Sequence, residues 1–506
     1  MTEKYEILKG LKPEKVFKYF ETICSIPHGS RDTKKISDYI VENAKENNLD
    51  YIQDDSNNVI VFKGGSAGYE DHPAVILQGH MDMVCEKENS CDIDFTKDGL
   101  TLEVNDGIIT AKGTTLGGDD GIAVAYMLAL LNSDDIPHPP LECVFTVDEE
   151  IGMLGAAAID LSSLKGRTLL NLDSEDEGHL LVGCAGGMTA ISVLPLERMS
   201  CVDSTTSVEN ASNTTVCITV TGLKGGHSGV EIDKGRANSN MLLGRVLYSL
   251  KKAIPEMLII SVDGGLKDNA IPRESSALLT LPVSNLNLAK EKLSEIEKIF
   301  DNEYRTTDSD IKVLVEESVE NNCFEDSADN NCFTPCSDTS TKAIIAALVN
   351  MPNGIYRYSF DIDGLVQTSL NLGILTTSES ETRLTYSVRS SVESEKQELY
   401  SRIECLSEAL GGHAILESEY PAWEYRPDSP LRDMMQKIFE KQYGHPMIVE
   451  TIHAGLECGL FAGKINDLDI VSFGPDMKDI HTTSESMDVK SVERTWNYLL
   501  EVLKEL

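Results

Sequence analysis

Apolar residues recur at helical spacing from Glu14 in Glu-Lys-Val-Phe-Lys-Tyr-Phe, and Ile23-Cys-Ser-Ile-Pro27 breaks the pattern. A second amphipathic helix begins at Asp32, which stands as its cap, so residues 12–48 read as two helices. Short β-branched runs at Asn58–Lys63 and Ala74–Gln78 predict strands. Asp120–Leu131 is apolar on every face and predicts a buried helix. Two more apolar runs, Leu141–Val147 and Thr168–Leu172, predict buried strands. Alternating strands and helices of this kind argue an α/β layer with a largely parallel sheet.

The pattern changes after Gly183-Cys-Ala-Gly-Gly187. Stretches such as Thr215–Thr221 and Arg383–Arg389 alternate apolar with polar, as strands with one wet face do. They are interleaved with helical segments such as Leu288–Glu297. Near Pro427 the first pattern returns, with a helix at Leu431–Tyr443, strands at Met447–Thr451 and Asp469–Phe473, and a closing helix at Ser491–Leu503. The expected organisation is an α/β domain in two parts, residues 1–186 and 423–506, interrupted by an inserted α+β domain over residues 187–422.

At 506 residues the chain exceeds one ordinary core, in keeping with that division. A net charge of −39, from 83 acidic against 44 basic residues, argues against nucleic acid and against an anionic membrane surface as partners. Met1–Glu6 has no apolar signal core and no apolar run reaches a membrane-spanning length of about 18 residues, so cytoplasmic residence is expected. The 12 cysteines lack paired spacing and read as free thiols. Cys332-Phe-Thr-Pro-Cys336 is too loosely spaced for a usual zinc pair, and the two Asn-Asn-Cys-Phe copies, at Asn321 and Asn330, look like a short duplication in a polar loop.

Candidate chemistry centres on Thr146-Val-Asp-Glu-Glu-Ile-Gly152, where three consecutive carboxylates follow a buried strand. Crowded carboxylates raise one another's pKa, and a cation removes that cost. Neighbouring side chains leave a strand in different directions, so Glu149 and Glu150 can serve as proton acceptor and metal ligand. His80 follows another strand, and Asp82, two residues on, is placed to orient its imidazole. Asp119 and Asp120 lie between glycines at the start of the buried helix, Asp173 follows the strand at Thr168–Leu172, and His481 follows a strand and a long turn. A helix cap, a polar loop and a surface histidine account for these one at a time. Taken together, His80, Asp119, Glu150, Asp173 and His481 each fall at a strand end or the turn beyond it, where α/β sheets bind ligands. Imidazole and carboxylate donors without thiolate suit Zn²⁺, with Mn²⁺ or Co²⁺ as substitutes. These five donors overfill one tetrahedral ion; if one aspartate bridges, they serve two.

These motifs, with Gly222-Leu-Lys-Gly-Gly-His-Ser-Gly229, Asn269-Ala-Ile-Pro-Arg273 and His453-Ala-Gly-Leu-Glu-Cys-Gly459, run in order along essentially the whole chain. The combination resembles the aminoacyl-histidine dipeptidases, also called cytosol non-specific dipeptidases, among the co-catalytic zinc metallopeptidases that include carnosinases and aminoacylases. The resemblance implies dipeptide hydrolysis, Xaa-His and broader, by two Zn²⁺ per subunit of a homodimer. It implies that Asp119 bridges the ions, with His80 and Asp173 on one and Glu150 and His481 on the other. Asp82 would orient His80, and Glu149 would be the general base. His227 would reach the partner subunit's site to hold the oxyanion, while Asn269, Arg389, His453 and Gly455 would surround the substrate. A cis peptide after Asp119 is also implied.

Three departures stand out. Asp120 occupies a place where relatives usually have Asn, His481-Thr-Thr-Ser-Glu replaces His-Ser-Pro-x-Glu, and Gln367 stands where Glu is common. They bear on substrate preference and spare the ligands. An aminoacylase or carboxypeptidase of the same architecture is the alternative, followed by a non-catalytic binding protein of this fold.

Overall fold

The computed structural model describes residues 6–199, 212–318 and 334–506; Cys332 and both Asn-Asn-Cys-Phe copies lie outside them. The chain forms two compact units: Met1–Cys184 with Ala422–Ile452 and Leu456–Leu506, and Ala185–Pro421 with His453–Gly455. These bounds lie within two residues of the sequence-read ones, except that the segment bearing His453 and Gly455 leaves the C-terminal part for the second unit. Hydrogen bonds account for the exception: Ala454 O accepts from Ala185 N at 3.1 Å, and His453 Nε2 lies 2.7 Å from Ser369 Oγ.

The first unit is built on an eight-stranded sheet. Its order is Asp50–Gln53, Val59–Lys63, Leu141–Thr146, Val75–His80, Thr168–Asn171, Asp469–Ser472, His179–Cys184 and Ile448–Ile452. The central pairings are parallel, whereas the first two strands pair antiparallel and Asp469–Ser472 meets His179–Cys184 antiparallel. The sheet is therefore parallel where the candidate ligands leave it and mixed towards its margins. Successive residues of a strand enter opposite cores: Val75 and Leu77 face one, Ile76 the other. The larger core takes in helices Glu14–Cys24, Lys34–Glu46, Gly118–Leu131, Pro430–Tyr443 and Val489–Glu505. Leu154–Ala158 and Glu457–Lys464 supply the other. Helix Lys34–Glu46 starts from Thr33, without a side-chain cap, so Asp32 does not play the part expected of it.

Every residue of helix Gly118–Leu131 is buried, as its all-round apolar pattern predicts. A smaller sheet joins Leu102–Asn105 and Ile108–Ala111 to a hairpin of Met477–Lys478 and Ser486–Asp488. That hairpin escaped the sequence reading because its strands are only two and three residues long. The second unit carries a nine-stranded sheet whose pairings are antiparallel. Helices Ser239–Ala253, Leu286–Glu303, Asp338–Asn350 and Glu393–Ala409 contribute to its core. No helix among the described residues is long and apolar enough to cross a membrane.

Strand Val75–His80 and helix Gly118–Leu131 approach closely at Gly79, where a Cβ would lie 2.5 Å from Asp120 Oδ2 and 2.7 Å from Ala123 Cβ. Gly79→Ala is therefore expected to destabilise the protein by about 1–3 kcal/mol, measured by denaturant unfolding. Stability equal to that of the unsubstituted protein would contradict this close approach.

Candidate metal centre

The parallel register explains why distant parts of the chain meet. His80 pairs with Thr146 and Gln78 with Asn171, so neighbouring strands end at one edge of the sheet. Continuing from those ends, the chain places His80, Glu149, Glu150 and Asp173 along that edge. Strand Asp469–Ser472 runs parallel to Thr168–Asn171 and leads into the hairpin that bears His481. His481 is thus delivered by a hairpin loop, in the left-handed region at φ 61°, rather than by a strand end. Asp119 comes from the start of helix Gly118–Leu131, where Asp119 and Asp120 keep non-helical backbone angles and no side chain caps the helix. The peptide bond between them is cis.

Asp119 lies between two imidazoles. Its Oδ1 is 3.0 Å from His80 Nε2 and its Oδ2 is 3.1 Å from His481 Nε2. His481 Nε2 is also 3.0 Å from Glu150, and His80 Nε2 is 3.9 Å from Asp173 Oδ1. Donor atoms lie within 4.8 Å of one another in His80–Asp119–Asp173, in Asp119–Glu150–His481 and in His80–Glu149–Glu150. Asp119 belongs to the first two groups, as a bridging ligand must. The set is nitrogen and oxygen only, carries four carboxylates and converges on one place, so these residues fit a pair of divalent cations.

The electrostatics express the same crowding. Burial opposes charge on both Asp119 and His80, yet polar contacts win: His481 and His80 hold Asp119 well below the usual carboxylate range, and Asp119 and Asp82 hold His80 well above the usual imidazole one. Hydrogen bonds to Asp119 and Glu150 raise His481 to about 10. Burial first, and then the charges of Glu457, Glu150 and Asp119, push Glu149 up to about 8 against the opposing effect of His80. Asp173 is pushed up by burial, then by Asp119 and Glu149, although His80 opposes the shift. Glu175, two residues further, rises to about 7 through burial and the charge of Asp119.

Asp82 is fully buried and meets His80 through both its main chain and its carboxylate. His80 Nδ1 lies 2.9 Å from the Asp82 carbonyl oxygen and 3.5 Å from its carboxylate. The carboxylate also accepts from Ser30 Oγ at 2.8 Å, Glu149 N at 3.1 Å and Glu150 N at 3.4 Å. Asp82 is thus placed against the imidazole by main chain and side chain together, and its carboxylate also fastens the Glu149–Glu150 turn. Asp120 accepts from His80 N at 3.1 Å, and burial followed by the Asp173 charge pushes its carboxyl well above the usual range. The neutral form so favoured is nearly isosteric with Asn.

Several buried polar groups around the centre carried no assignment in the sequence. Glu485 accepts from the main-chain nitrogens of Leu116, Gly117 and Gly118 at 2.7, 3.1 and 2.8 Å, which ties the His481 hairpin to the loop before Asp119. Glu457 is fully buried and bonded by Gln78 and Thr146. The spacing of Glu485, four residues after His481, was a usable signal; Glu457 had none beyond its place in the His453–Gly459 motif.

His227, Arg389 and His453 come together in the second unit around Gly229, where a Cβ would meet His453 O, His227 Cε1 and Arg389 Nε at 2.6, 3.0 and 3.2 Å. His227 Nδ1 accepts from Gly229 N and Val230 N at 3.1 and 3.2 Å, so the ring proton sits on Nε2. Burial and the Arg389 charge lower the pKa of His227, and the same two causes bring His453 to about 3, so both rings are neutral at physiological pH. Asn269 is exposed beside them, because the two-stranded ribbon pairs His227 with Ala270 and Asn269 O accepts from Ser228 N at 2.9 Å. Gly455 belongs to the second unit with His453.

Residues 76–505 match the model of peptidase family M20/M25/M40. The chain is 34% identical over 499 residues to the cytosol non-specific dipeptidase of Escherichia coli, with 99% of each chain covered. It is also similar to the crystal structure of aminoacylhistidine dipeptidase from Vibrio alginolyticus, with a TM-score of 0.89, 34% identity, and 100% of this chain and 99% of that one covered. An aminopeptidase from Bacillus cereus shares the fold, with a TM-score of 0.54 at 15% identity, covering 98% of this chain and 99% of that one.

With their raised pKa values, His80 and His481 hold protons in the metal-free protein at neutral pH, and a cation must displace them. Titrating stripped protein with Zn²⁺ in buffers of different ionisation enthalpy should show proton release, and affinity should rise with pH. Binding without proton release would contradict coordination by these imidazoles.

Proposed function

The chain belongs to peptidase family M20/M25/M40, and we propose that within it this protein is a two-metal dipeptidase of the cytoplasm. The convergence of His80, Asp119, Glu150, Asp173 and His481 beside a buried Glu149 carries this reading. His80, Asp119 and Asp173 would hold one cation, and Asp119, Glu150 and His481 the other. Zn²⁺ is the ion that the donor set suits, with Mn²⁺ or Co²⁺ as substitutes. Divalent cations held there would supply Lewis acidity and make water a better acid.

Glu149 takes the proton of the attacking water and later returns it to the leaving amine. Burial favours its protonated form until a cation's charge balances the site, so it is suited to both halves of that transfer. Asp82 keeps Glu149 in place through its main-chain nitrogen. His227 offers an Nε2 proton with no acceptor among the described residues, which suits it to hold a developing oxyanion. We assign His227 to the partner's active site in a homodimer, following the family resemblance. Arg389, with Asn269, His453 and Gly455, is assigned to the substrate.

The names of the two relatives at 34% identity support dipeptides, Xaa-His among them, as substrates. The nine described cysteines are free, in keeping with a reducing compartment. A panel of dipeptides, tripeptides and N-acyl amino acids tests the substrate class. Dipeptides should be hydrolysed best, and a preference for N-acyl amino acids or longer peptides would favour the aminoacylase or carboxypeptidase alternative.

Glu149→Ala should lower kcat at least about a hundredfold, the contribution typical of acid–base catalysis, while retaining the bound metal. Metal loss in that variant would instead make Glu149 a ligand. If His227 acts across the dimer, mixing inactive Glu149→Ala and His227→Ala proteins should recover activity through hybrid dimers. A mixture that stays inactive although subunits exchange would count against the shared site.

A further inference from the structure

Glu457 opens helix Glu457–Lys464 in the first unit, just after the chain returns from the His453–Gly455 excursion. It is wholly buried. Thr146 Oγ1 donates to its Oε2 at 2.7 Å and Gln78 Nε2 donates to the same oxygen at 2.5 Å. Gln78 Oε1 in turn accepts from Asn171 Nδ2 at 2.6 Å. Gln78, Thr146 and Asn171 are also wholly buried, one on each of three adjacent parallel strands. Each lies just upstream of the candidate centre: Gln78 before His80, Thr146 before Glu149 and Glu150, and Asn171 before Asp173.

Stability is a poor explanation for this arrangement. A buried carboxylate is costly without a cationic partner, and both donors to Glu457 are neutral. Its Oε1 has no hydrogen-bond partner among the described residues. Burial pushes its carboxyl up to about 7 against the opposing charge of His80, so positive charge bound beside His80 would favour its ionised form.

We propose that Glu457 is a positioning residue of the metal centre. Through Gln78, Thr146 and Asn171 its buried carboxylate locks three strand ends together and sets the relative places of His80, Asp173 and the Glu149–Glu150 turn. Its charge also adds to cation affinity without direct coordination. This inference rests on the ligand set proposed above.

Glu457→Gln keeps the shape and an oxygen for both donors but removes the charge. Full-length protein is stripped and titrated with Zn²⁺ against a chelator, and kcat and KM for one dipeptide are measured after reloading. The variant should bind Zn²⁺ about 10-fold more weakly or worse, with a comparable fall in kcat and KM within about twofold. Gln78→Glu alone sets two buried carboxylates face to face and should be at least as damaging. Combining Gln78→Glu with Glu457→Gln exchanges amide and carboxylate across the same hydrogen bond, and should bring Zn²⁺ affinity back to within about threefold of the unsubstituted protein. Zn²⁺ affinity and kcat unchanged in Glu457→Gln would overturn the proposal, and so would a loss of thermal stability alone.

Should Glu457→Gln fail to fold, Thr146→Val removes one donor only and should shift Zn²⁺ affinity in the same direction; no shift would be equally damaging. An unsubstituted protein that binds no Zn²⁺ would remove the metal centre itself along with this role. If it binds Zn²⁺ but cleaves a different amide, only the substrate assignment falls, and the affinity comparison still decides the role of Glu457.

Discussion

Repulsion among carboxylates is the constraint on which the first unit depends. Asp119, Glu149, Glu150 and Asp173 are crowded into one place, with Asp120, Glu457 and Glu485 buried close by. Such a cluster stays closed only if each charge is opposed or neutralised. Asp119 is opposed by His80 and His481, while Asp82 and Glu485 are each satisfied by three hydrogen-bond donors. Burial pushes Asp120, Glu149, Asp173 and Glu457 towards their neutral forms. Divalent cations would replace those protons and relieve the whole cluster at once, so the chemistry of the site and its structural cost have a common origin.

Strand register converts that constraint into geometry. In a parallel sheet the ends of neighbouring strands lie side by side, and a residue one or two places beyond the last hydrogen bond projects from the edge. Three adjacent strands supply His80, the Glu149–Glu150 turn and Asp173 in this way. The helix start and the hairpin supply Asp119 and His481, and Glu485 joins those two by binding the nitrogens just before Asp119. Departures at Asp120 and in the Thr482–Ser484 stretch leave these connections intact.

The second unit handles charge differently. Burial, and then the charge of Arg389, keep the imidazoles of His227 and His453 neutral. Two main-chain donors on His227 Nδ1 then decide which ring nitrogen carries the proton. The tautomer, and with it the direction of a usable hydrogen bond, follows from a local turn of glycine-rich chain.

Much of the design is legible along the chain. The buried helix at Gly118–Leu131, the buried strands and the change of pattern near Gly183 follow from periodicity, because burial selects side chains residue by residue. The donor residues stand out because acids and histidines are unusual where buried strands end. Other features depend on partners far away in sequence. The His453–Gly455 excursion, the carbonyl contact of Asp82 with His80 and the two-residue strand before His481 leave no periodic trace. The Glu457 contacts with Gln78 and Thr146 span 379 and 311 residues. Composition and spacing therefore determined which residues could hold a cation, while tertiary structure alone decided their distances and protonation, since those depend on desolvation and on neighbours that only folding brings together.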